Sequence, residues 1–126
     1  MVGLGPIKTV GVYVSDQAKA VEFYTKRLGF TLRRELPMGP NAKWVEVSPP
    51  DGQTCLVLYP RSLMPQWEQL KATVVFHCAD VEDTCNWLRA AGVTITAPPK
   101  KIAWGMFAMF ADPDGNLFGL TSQEIA

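Results

Sequence analysis

The sequence predicts an α+β protein made of two copies of one β-α-β-β-β module. Three observations predict it. Residues 9–16 read T-V-G-V-Y-V-S-D and residues 73–80 read T-V-V-F-H-C-A-D, two apolar runs that each close on an aspartate. Each aspartate, Asp16 or Asp80, opens a stretch of helical spacing that stops at a glycine, Gly29 or Gly92. The two runs lie about half the chain apart, and self-similarity at such a period marks a duplicated unit.

The elements follow in order. Ile7 to Val14 alternates and is rich in valine, which predicts a strand. Ser15-Asp16 supplies the capping oxygen for a helix. In that helix Ala18, Val21, Tyr24 and Leu28 recur at three- and four-residue spacing and form one apolar face. Gly29 ends it in the left-handed conformation. Strands are predicted over Phe30–Leu36, Lys43–Ser48 and Thr54–Tyr59, separated by the breakers Pro37-Met-Gly-Pro40-Asn and Pro49-Pro50-Asp51-Gly52. Residues 61–71 read as a linker, with a short helical turn around Gln66–Leu70. The pattern then restarts. Thr73–Ala79 is a strand and Asp80 caps a helix whose core face is Val81, Cys85, Leu88 and Ala91. Val93–Thr96 is a strand halted by Pro98-Pro99. Trp104–Ala111 and Leu117–Thr121 are strands joined at Asp112-Pro-Asp-Gly115, since an Asp-Gly pair between apolar runs signals a hairpin.

Composition narrows the function. The 126 residues suit one domain, with module one at about 6–60 and module two at about 72–122. Twelve Lys and Arg balance twelve Asp and Glu, so the basic stripe that nucleic acid requires is missing and no nucleic-acid partner is expected. No apolar run reaches membrane-spanning length, and the first residues lack a basic and apolar leader, so no membrane partner is expected and the expected setting is cytoplasmic. Cys55, Cys78 and Cys85 make an odd, scattered set without C-x-x-C. That set fits a reducing compartment, with neither a disulfide framework nor a zinc site.

The stretches V-Y-V-S-D-Q-A-K-A-V-E-F-Y at 12–24 with R-L-G-F at 27–30, A-D-V at 79–81 with R-A-A-G-V at 89–93, and F-A-D-P-D-G-N-L-F-G-L at 110–120 resemble the vicinal oxygen chelate superfamily. That group includes glyoxalase I, extradiol dioxygenases, fosfomycin-resistance enzymes and bleomycin-resistance proteins. The resemblance covers about Ile7 to Ser122. It implies sheets curved into a cup that holds a ligand on the concave side, and it implies a homodimer.

Metal-dependent members hold a divalent ion with four His, Glu or Gln side chains, one on the first and one on the last strand of each module. Carried over by the resemblance, these positions fall on Thr9, Val57, Thr73 and Gly119. None is a good ligand. The sequence has one histidine, His77, so a two-histidine site within one chain is ruled out by counting. No metal and no other cofactor is expected, and the metal-assisted chemistry of the relatives loses its Lewis acid.

Alternation nominates the cup lining: Tyr13 on the first strand, Trp44 and Glu46 on the third, Val57 on the fourth and His77 on the first strand of module two. Trp104 to Phe110 is apolar on both faces, so alternation does not choose there, and Trp104 and Phe107 are the picks on that strand. His77 reads either as a satisfied histidine or as a polar handle or general base, because an imidazole titrates near neutrality. Glu46 reads either as a solvated strand residue or as a base or cation anchor. Glu46, His77 and Tyr13 are the candidate catalytic residues. Three functions compete: a metal-free binding protein for a small organic molecule; a lyase or isomerase with a non-standard metal site or metal-free acid–base catalysis; and a dimeric structural or regulatory protein with a vestigial cup.

Overall fold

The computed structural model describes residues 3–4, 6–103 and 105–123. The chain divides into two compact units, Met1–Ala72 and Thr73–Ala126. The first holds β1 (Thr9–Val14), α1 (Gln17–Glu22), β2 (Thr31–Gly39), β3 (Ala42–Ser48) and β4 (Cys55–Pro60). Its sheet runs β1-β4-β3-β2, with β1 parallel to β4 and the other pairs antiparallel. The second holds β5 (Val74–His77), α2 (Val81–Ala90), β6 (Thr94–Ile102), β7 (Gly105–Ala111) and β8 (Leu117–Gln123). Its sheet repeats the order as β5-β8-β7-β6, again with the first and last strands parallel. The duplicated text is thus a duplicated topology of two four-stranded mixed sheets.

The helix signals act as read. Asp16 Oδ1 accepts the Lys19 amide at 3.1 Å, and Asp80 Oδ1 accepts the Asp83 amide at 2.9 Å. Each carboxylate satisfies one of the four amides that a helix start leaves open. Gly29 and Gly92 stop the helical segments at φ 73° and 83°, where a side chain would be strained. The apolar face of the first helix departs from expectation. From Phe23 to Arg27 the helix widens into a π turn, with the Leu28 amide bonded to Phe23 O and the Phe30 amide to Tyr24 O. Ala20, Phe23, Tyr24 and Leu28 form the buried face and Ala18 is exposed.

Each core lies between a helix and one face of its sheet. In the first unit Val12, Val14, Val45, Val47, Leu56 and Leu58 are buried, and so is Tyr24, which stands edge-on to Phe23 and Phe30. In the second, Phe110 stacks on Phe118 at 5.3 Å and Phe76 packs on both, beneath Val81, Cys85 and Leu88 of α2.

The prolines do not break strands where the sequence suggests. β2 continues through Pro37 to Gly39, and β6 continues through Pro98 and Pro99 to Ile102. Both are edge strands, whose outward amides need no partner, and the pairing register slips between Pro37 and Gly39 and between Ala97 and Lys100. An edge or a bulge is where a sheet tolerates a missing amide donor. Between β4 and β5, short 3-10 turns occupy Arg61–Leu63 and Trp67–Leu70, and the Arg61 guanidinium and the Lys71 ammonium each lie over the Trp67 ring, 4.8 Å and 5.1 Å from its centroid.

Candidate ligand cavity

Strand register decides which side chains meet. β1 and β4 pair Thr9 with Cys55, Gly11 with Val57 and Tyr13 with Tyr59, while β3 sets Glu46 opposite Val57. Because side chains alternate along a strand, these residues and Trp44 share one face, and Val12, Val14, Val45 and Val47 take the core face. On the shared face lies a cavity of about 220 Å³, lined by Thr9, Gly11, Tyr13, Trp44, Val57, Tyr59 and Met64. Tyr59 stands between two edge-to-face partners, Tyr13 at 6.1 Å and 84° and Trp44 at 6.4 Å and 80°. Such geometry sets ring edges against ring faces and fixes the walls. No charged side chain is in the lining.

The other nominated residues fall elsewhere. Glu46 is 7% exposed. Its Oε2 accepts the Trp44 indole N–H at 2.7 Å, and it is not among the lining residues. His77 is exposed in the second unit, paired in register with Thr121 of β8. Phe107 is half-buried on β7, and Trp104 lies outside the described residues. Met64 was not nominated. It sits in the turn after β4, where no periodic signal marks it.

The positions that the resemblance aligns with metal ligands are varied. Thr9 is half-buried, Val57 is buried and Thr73 is exposed. A Cβ built at Gly119 would come within 3.1 Å of both the Phe107 ring and Val75 Cγ2, so a carboxylate there meets packed side chains. Two hydroxyls without an imidazole or carboxylate do not fit a divalent ion.

A larger open hollow, about 830 Å³, lies on the α1 side of the first sheet between the helix start and the β2–β3 hairpin. Three of its polar residues, Gln17, Lys43 and Glu35, are engaged with one another or with the sheet backbone. Gln17 donates to Lys43 O at 2.7 Å and Leu58 O at 2.8 Å and accepts from the Lys43 amide, and Lys43 pairs with Glu35 at 3.2 Å. These bonds staple helix to sheet. The smaller cavity matches a small-molecule site in the chemistry of its walls, which are aromatic and uncharged, and not in its volume.

Burial is the first cause that pushes all three thiols upward, and for Cys55 the neighbouring Glu46 charge comes second while Arg33 and Arg34 oppose it. The folded chain therefore holds these protons more tightly than the unfolded chain. Their contribution to stability is complete below the unfolded thiol range, about pH 8.5, and is lost as pH rises through the folded-state values. The urea midpoint should fall as pH climbs past that range, and less steeply when Cys55, Cys78 and Cys85 are all replaced by alanine. Equal slopes in both proteins would contradict the assignment.

Residues 6–120 match the model of the Glyoxalase/Bleomycin resistance protein/Dioxygenase superfamily. The chain belongs to this superfamily. The uncharacterized protein YetH of Bacillus subtilis is 45% identical over 112 residues, covering 89% of this chain and 93% of YetH. TnmS3, an antibiotic binding protein from Streptomyces sp. CB03234, superposes with a TM-score of 0.85 at 34% identity, covering 98% of this chain and all of TnmS3. A superfamily member from Sphaerobacter thermophilus superposes equally well, with a TM-score of 0.85 at 31% identity over 95% of this chain and 98% of its own. The two mixed sheets are the superfamily's fold. Among the described residues no helix is long and apolar enough to cross a membrane.

Proposed function

We propose that this superfamily member binds a small, planar, uncharged aromatic molecule without a metal, in the cavity walled by Tyr13, Tyr59 and Trp44. The observation that carries the reading is the lining itself: three aromatic rings, a thioether and no charged side chain. Aromatic rings present faces and edges to a flat guest, and Met64 adapts to its outline. The family supports a small-molecule role, since TnmS3 is an antibiotic binding protein of the same fold. The poor donor set at Thr9, Val57, Thr73 and Gly119 supports binding without an ion.

An acid–base enzyme built on Glu46 and His77 has less support. The Glu46 carboxylate is engaged by Trp44 outside the lining, and His77 is exposed on β5. A homodimer and an intracellular setting complete the reading.

The test is a fluorescence titration with 2-naphthol, a neutral two-ring aromatic, with and without EDTA. Saturable binding that EDTA leaves unchanged and Tyr59→Ala weakens is the expected result. Binding that EDTA abolishes, or that is not saturable, would overturn the proposal.

A further inference from the structure

Glu46 presents a problem the proposed binding role does not solve. It is a carboxylate 7% exposed on a sheet face, and among the described residues it makes no ion pair. Its register partner on β2, Arg34, is exposed. A buried charge without a cation is costly unless hydrogen bonds compensate. Two hydrogen bonds compensate: the Cys55 thiol donates to the Glu46 carboxylate, and Trp44 Nε1 donates to Glu46 Oε2 at 2.7 Å. A bond to an ionised acceptor is short and directional. Trp44 and Glu46 are two apart on β3, so they share a face, and the bond reaches along the strand.

The consequence runs from one ring to the next. With its N–H directed at Glu46, the indole is held at 80° to Tyr59, and Tyr59 stands at 84° to Tyr13. A tryptophan on a sheet face has several rotamers available. We infer that Glu46 is a positioning residue: its carboxylate selects the Trp44 rotamer that forms the cavity wall, and so sets which flat guests fit without touching them. The effect on guests rests on the proposed binding role; the effect on Trp44 does not.

The experiment separates the two. In a Trp67→Phe, Trp87→Phe, Trp104→Phe background, Trp44 is the sole tryptophan, and acrylamide quenching reads its mobility with no ligand present. Glu46→Gln keeps an acceptor and should leave quenching unchanged, whereas Glu46→Leu should increase it. Unchanged quenching in Glu46→Leu would overturn the inference. A hydrogen-exchange measurement on the Trp44 indole N–H of the native chain needs no variant at position 46. Slow exchange is expected, and exchange as fast as that of exposed Trp87 would overturn it.

With 2-naphthol measured by calorimetry in the native-tryptophan chain, Glu46→Leu should weaken binding about tenfold, as losing one charge-assisted hydrogen bond implies. In a Trp44→Phe background the same change should cost nothing further, because a residue acting through another is not additive with it. A full additional loss there would mean that Glu46 touches the guest, and would overturn the positioning role. Failure of 2-naphthol to bind the native chain would count against the proposed function, while the quenching and exchange results would still decide the role of Glu46.

Discussion

Trp44→Ala is expected to weaken 2-naphthol binding by about 30-fold, the loss of about 2 kcal/mol that removal of a central aromatic anchor brings. The indole is one of three rings around the cavity and the one that ties it to the polar interior. Without it Tyr59 loses an edge-to-face partner, and the Glu46 carboxylate loses its 2.7 Å donor. The second loss should also appear in the unliganded protein, as a stability decrease of about 1–3 kcal/mol for a buried carboxylate that loses its indole donor and keeps the Cys55 thiol. Trp44→Phe keeps a ring but not the donor, and should fall between the two. Calorimetric titration of the three proteins checks the order, and an alanine variant that binds like the native chain would remove Trp44 from the site.

Asp112→Ala should cost about 3 kcal/mol of stability, the largest effect expected from a single residue outside the apolar cores. Asp112 is 6% exposed and organises the turn between β7 and β8. Its Oδ1 accepts the amides of Asp114 at 2.9 Å and Asn116 at 2.8 Å, and its Oδ2 accepts Asn116 Nδ2 at 2.8 Å. Alanine removes the acceptor of all three, and Asn116, 9% exposed, has little water to turn to. Asp112→Asn keeps one acceptor oxygen and should lose less. Urea unfolding monitored by circular dichroism reads both. An alanine variant within about 0.5 kcal/mol of the native chain, the range of ordinary surface changes, would show that the turn is held by backbone alone.

The repeat was legible because its signals are local. Asp16 and Asp80 act on amides three residues away, and Gly29 and Gly92 act on their own dihedral angles. Strand parity was legible for the same reason, which is why Tyr13, Trp44, Glu46 and Val57 could be grouped before their neighbours were known. What needs a partner strand was not. The sequence around Pro98-Pro99 reads as a stop, and only the edge position of β6 makes it a strand. The crowding of Gly119 depends on Phe107 across β7 and Val75 across β5. Because residues 104–111 are apolar on both faces, their parity gave no choice between them. The π turn was missed because Ala18, Val21, Tyr24 and Leu28 fit a regular helix, while the observed face is set by how Phe23 and Tyr24 pack. Spacing places Glu46 and Trp44 on one face, but the readings of Glu46 as a solvated strand residue or as a base or cation anchor do not include its bond to the indole, because the Trp44 rotamer is not written in the sequence.

Native mass spectrometry is the most direct measurement of the central claim, that an aromatic cavity binds an organic guest without an ion. Protein purified without chelator and mixed with 2-naphthol should carry one guest per chain and no divalent metal. One tightly held metal ion per chain, with the guest lost when that ion is stripped, would contradict it.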